Sequence, residues 1–91
     1  MKIVINTCYG GFGLSEYAKT ILSPNHIDSR TDPNLIALVE KNSKKASEKF
    51  FAELAVVEIP DDATDYMINE YDGAEDVIYV LNGKLNYAFP K

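Results

Sequence analysis

Asn6-Thr7-Cys8-Tyr9-Gly10-Gly11-Phe12-Gly13-Leu14-Ser15 is the stretch in which the chain changes character. Before it, Lys2 to Thr7 is rich in β-branched residues, and Ile3, Val4 and Ile5 are consecutive apolar residues. That pattern predicts a central strand covered on both faces. After it, Ser15 is suited to cap a helix, and Glu16 places a negative charge in the positive first turn. Leu14, Ala18, Ile21 and Leu22 then form an apolar stripe that carries a first helix from about Ser15 to Leu22. Between strand and helix, Gly10, Gly11 and Gly13 permit a tight turn that other residues resist. Ser23-Pro24-Asn25 ends the helix, because the residue before a proline is pushed out of helical geometry.

Further along, His26 to Thr31 has no periodicity and reads as a loop, and Asp32-Pro33 supplies the cap and first-turn pair of a second helix. Leu35, Ile36, Leu38 and Val39 give that helix a buried face. Asn42 and Ser43 can interrupt it, so that Lys44 to Lys49 is either its solvated continuation or a loop. Phe51, Leu54, Val56, Val57 and Ile59 predict a strand that stops at Pro60-Asp61-Asp62. Tyr66 to Tyr71 predicts another, closed by the turn dipeptide Asp72-Gly73. Val77 to Leu81, Asn82-Gly83, and Lys84 to Phe89 spell a hairpin, since both turn positions need positive φ. The order strand, helix, helix, strands predicts one α+β domain over 1–91. In it, two helices pack on one face of a mostly antiparallel mixed β-sheet of four to five strands, with a C-terminal Asn-Gly hairpin. If the first strand and the 54–59 strand are neighbours, a right-handed crossover makes them parallel.

Ninety-one residues suffice for one core, and the apolar fraction of 46 % is ordinary for a globular chain. The apolar runs are too short to cross a bilayer, and the run that starts at Met1 stops at Asn6 with no small-residue cleavage site after it. The expected location is the host cytosol. One cysteine and one histidine cannot form an internal disulfide or a closed zinc site, and no cofactor is expected. Net charge is −5, unevenly spread: residues 1–50 hold five acids and seven bases, and residues 51–91 hold nine acids and two bases. An acidic total disfavours binding duplex nucleic acid through its backbone.

Backbone amides at the start of a helix favour anions, so the glycine turn is a candidate site for a phosphate or carboxylate. Gly11-Phe12-Gly13 matches only the first two glycines of a dinucleotide fingerprint, and no Gly-Lys-Ser/Thr ending marks a P-loop. The alternative is a plain tight turn that lets Tyr9 and Phe12 pack. Arg30 can present its planar fork to the same anion, with Tyr9 or Phe12 free to stack on a base, or can pair with Asp28 or Asp32. The ligand-binding candidates are thus Cys8, Tyr9, Gly10, Gly11, Phe12, Gly13, Ser15 and Arg30. Cys8 near a helix start can be a nucleophile, with His26 as its base, or a small buried apolar side chain. A Cys-x5-Arg phosphatase loop is disfavoured because position 14 is Leu14. The acidic segments 61–65 and 70–76 can bind Ca²⁺ or Mg²⁺, form turns, or offer an acidic surface to a protein's nucleic-acid groove. Lys41, Lys44, Lys45 and Lys49 read as a solvated helix face, with no aromatic interleaved for single-strand binding.

The segments Cys8 to Ser15, Arg30 to Pro33, Val57 to Asp61 and Glu70 to Gly73 resemble those of a family of small bacteriophage and prophage proteins. The likeness reaches to about Asp76. It implies a phage setting and carries over no catalytic residue. By analogy, a small phage protein of this kind is expected to be a counter-defence or host-interaction factor. The reading is a non-enzymatic protein that sequesters a small anion such as a signalling nucleotide, and a homo-oligomer is expected because so small a domain encloses a ligand best with a second subunit. The second reading is an acidic inhibitor of a host nucleic-acid-binding or defence protein, and the third a cysteine-dependent hydrolase.

Overall fold

The computed structural model describes residues 1–26 and 28–90. The chain forms β1 (Lys2–Asn6), α1 (Glu16–Ile21), a 3-10 turn (Ser29–Thr31), α2 (Pro33–Ala46), β2 (Leu54–Glu58), β3 (Asp65–Tyr71), β4 (Ala74–Leu81) and β5 (Lys84–Ala88). It is a small α+β fold, with its strands in two antiparallel sheets, β1-β2 and β3-β4-β5. Both the single mixed sheet and the parallel neighbours expected from the sequence are therefore corrected. Two helices lie between β1 and β2, so the chain reverses twice and returns to the end at which β1 finished. β2 starts opposite Asn6, through the pair Asn6 and Leu54, and must run antiparallel.

The elements stack in three layers around two cores that share β1 and β2. On one side Val4 and Leu54 pack with Ala18 of α1 and with Leu35, Val39 and Ala46 of α2. On the other, Ile3, Ile5, Val57 and Ile59 pack against Val77 of β4, with Ile68, Tyr66 and Tyr79 beside it. This explains the three consecutive apolar residues of β1: alternate side chains point to opposite faces, and both faces are covered. β1 is thus central as a layer, although its sheet has only two strands.

Local signals act where the sequence places them. Ser15 caps α1 by accepting from the Ala18 amide at 3.0 Å. Asp32 caps α2 through the amides of Asn34 and Leu35, and its other carboxylate oxygen accepts from the Ser23 amide at 2.8 Å. Burial of Asp32 pushes its carboxyl up, but these three amides outweigh that effect and hold it below the usual range. α2 continues to Ala46 through a break in helical geometry at Asn42, so the lysine segment is part helix and part turn. Asp72-Gly73 and Asn82-Gly83 have positive φ at both positions, as their hairpins require. Among the described residues, no helix is long and apolar enough to cross a membrane.

Candidate functional site

The glycine turn is a docking point for the protein's own chain. A side chain on Gly10 would collide with the backbone carbonyl of Phe51, and one on Gly73 with the backbone of Gly11. The β3–β4 turn therefore sits against the loop that follows β1. Asn6 locks the two together: its Nδ2 donates to the carbonyl oxygens of Cys8 at 2.6 Å and Gly73 at 2.7 Å, and its Oδ1 accepts from the Glu53 amide at 2.8 Å. The phenyl ring of Phe51 lies against Gly13 on the same loop.

Arg30 is committed to this junction. Its Nη1 and Nη2 donate to the two carboxylate oxygens of Glu75 at 2.6 and 2.8 Å, and Nη1 also reaches the Val4 carbonyl at 3.2 Å. The guanidinium lies 3.6 Å from the centre of the Phe12 ring. Glu75 also accepts from the Asn6 amide at 2.8 Å, and its side chain is only 6 % exposed. Arg30 thus pairs with Glu75 and with neither Asp28 nor Asp32; the link to Asp28 is only a backbone one, from the Arg30 amide to its carboxylate. A nucleotide or other small anion arriving at this loop would meet a cation already neutralised, and a helix of six residues with Ser15 already at its cap.

The remaining candidates separate. Cys8 is half-buried, and its Sγ donates to the Phe51 carbonyl at 2.8 Å, while exposed His26 bonds Thr31 Oγ1 at 2.9 Å. Each has its own partner, which is not the arrangement of a thiol and its base. Tyr9 is exposed and Phe12 is the platform beneath Arg30. No group of three or more acidic, histidine or cysteine side chains is placed to hold a metal ion among the described residues.

A second region stands out once the strands are in register. On β3, β4 and β5 the inward face carries Ile68, Val77 and Ala88, which join the core. The outward face carries Met67, Ile78 and Tyr87 in one row and Asp65, Val80 and Leu85 in the next. Met67, Tyr71, Leu85, Tyr87 and Phe89 are 59–75 % exposed, and the rings of Tyr87 and Phe89 stack with centroids 6.4 Å apart. At about 200 Å² per aromatic side chain, the three rings alone leave about 400 Å² uncovered. Apolar side chains grouped on one sheet face mark an interaction site more often than scattered exposure does. The face carries Asp65 and Asp76 and, among the described residues, no lysine or arginine. Oδ1 of Asp76 is buried without a hydrogen-bond partner.

Sequence reading passed over this face. The signal was present in Leu85, Tyr87 and Phe89, which alternate with Lys84, Asn86 and Ala88, but alternation alone does not say which side of a strand is covered. No family model, curated protein or solved structure matches the chain.

Proposed function

We propose that this is a non-enzymatic binding protein that docks a partner protein on the outer face of β3-β4-β5. The observation that carries the reading is the exposed group of Met67, Leu85, Tyr87 and Phe89 on a sheet whose other face is already buried. The partner has an apolar surface flanked by lysine or arginine. Asp65 and Asp76 are the charged groups of the face, with no lysine or arginine beside them on it among the described residues, so a cation on the partner complements them. A second copy fits less well, since it would bring the same carboxylates with no cation opposite them. In the phage setting that the sequence resemblance implies, a basic nucleic-acid-binding protein of the host has the required chemistry.

The test is a positive charge placed in the middle of the face. Immobilised wild-type protein is expected to retain basic proteins from a bacterial lysate, and to release them with salt or competing duplex DNA. Tyr87→Lys is expected to keep the wild-type melting temperature and lose them. Capture of the same proteins by both would overturn the reading, as would a wild-type dimer that Tyr87→Lys dissociates.

A further inference from the structure

We infer that the free edge of β2 is a second binding site, which adds an extended peptide strand carrying a lysine or arginine two residues from an apolar side chain. The inference follows from tracing where the backbone groups of β1 and β2 go. The Thr7 amide donates to the Glu53 carbonyl at 2.8 Å, and the Ile59 amide to the Met1 carbonyl at 2.9 Å. In an antiparallel ladder the directions alternate, so Glu53, Ala55, Val57 and Ile59 turn their groups towards β1, and Leu54, Val56 and Glu58 turn theirs away.

On the β1 side two of the outward groups are held by the 3-10 turn and β4: the Val4 carbonyl accepts from Arg30 and the Asn6 amide donates to Glu75. On the β2 side Leu54 is served by two hydroxyls. Ser43 Oγ donates to its carbonyl, and Ser47 Oγ accepts from its amide at 2.9 Å. Val56 and Glu58 have no such partner among the described residues. Buried or covered backbone groups are nearly always paired, and an open pair on an edge strand is the template for strand addition.

The space beside this edge is already shaped. A groove of about 520 Å³ runs along it, lined on one side by Val39, Glu40 and Ser43 of α2 and on the other by Leu54, Val56 and Glu58. Lys2 spans its end, with Nζ 2.9 Å from Glu40 Oε2. A strand paired with Val56 and Glu58 would place alternate side chains over the α2 side of the groove. The residue opposite Val56 would rest on Val56 and Val39, and the residue two positions away would lie beside Glu58 and Glu40. Two carboxylates against the one ammonium of Lys2 leave that end negative, which selects a cation.

The probe is the capped hexapeptide Thr-Val-Thr-Lys-Thr-Val, titrated into the ¹⁵N-labelled protein. Amide shifts and slowed exchange are expected at Val56 and Glu58. Replacing the peptide lysine by glutamate is expected to weaken binding about tenfold, and Glu58→Lys is expected to reverse that preference. Val56→Pro removes an outward amide and the valine side chain but none of the bonds to β1, so it should keep the β1 ladder at some cost in stability and lose the peptide. Tyr87→Lys should bind the peptide normally, which separates this site from the outer sheet face. Unmoved Val56 and Glu58 amides at millimolar peptide, equal affinity for the lysine and glutamate peptides, or an edge already occupied by a second copy in light scattering would overturn the inference.

Discussion

The junction around Arg30 and the outer face of β3-β4-β5 lie in one small molecule but follow opposite rules. At the junction every charge and amide described has a partner: Arg30 has Glu75, Glu75 has the Asn6 amide, and Asn6 ties Gly73 to the glycine turn. On the outer face, large apolar side chains stand in solvent and a carboxylate oxygen of Asp76 has no donor. The first region is complete by itself, and the second leaves its apolar side chains uncovered. The comparison teaches that the glycine turn, which looks most like a ligand loop in sequence, is consumed in holding the layers together.

Breaking the junction should have the largest effect. Glu75→Ala leaves a mostly buried guanidinium without its carboxylate and the Asn6 amide without an acceptor, and should cost about 3 kcal/mol or more in a urea melt. Loss of less than about 1 kcal/mol would place the junction among weak surface pairs. Gly73→Ala should follow at about 2 kcal/mol, because the new methyl meets the Gly11 backbone and sits at a φ of +91°.

Asp32 provides the next and smaller test, through pH. Its folded carboxyl is held below its ordinary value, so its contribution is present above about pH 4 and is lost as pH falls through the folded value. Asp32→Asn should therefore melt earlier than wild type at neutral pH, by about 1 kcal/mol of stability, and the gap should close in acid. A gap independent of pH would mean that the cap works without its charge. The smallest stability effect belongs to the outer face. Leu85→Ser should change stability by no more than about 0.5 kcal/mol, since its side chain rests mainly in solvent. A loss above about 2 kcal/mol would make Leu85 part of the core and remove it from any docking surface.

Much of this architecture was legible in the residues. Ser15 and Asp32-Pro33 marked the two helix starts, Asp72-Gly73 and Asn82-Gly83 marked the hairpins, and Ile3-Val4-Ile5 marked a layer covered on both sides. Local chemistry decides those features. The direction of β2 and the division into two sheets depend on how the helices return the chain, which no local pattern encodes. The sequence marks Arg30 as a cation of interest, but Glu75 lies 45 residues away, and proximity in the chain points only to Asp28 and Asp32. Gly11, Arg30 and Gly73, from three separate stretches of the sequence, meet at or beside this junction. Their shared position is consistent with a framework role.

The thin middle layer has a consequence for how the molecule comes apart. Because β1 and β2 lend one face to the helices and the other to the three-stranded sheet, neither half keeps a closed interior alone. Peeling the hairpins away would wet Ile3, Ile5, Val57 and Ile59 while Val4 and Leu54 stayed covered on their helical side. Two strands with one dry face are a poor platform, so melting should be all-or-none, and a partner gripping either surface would steady the far side as well.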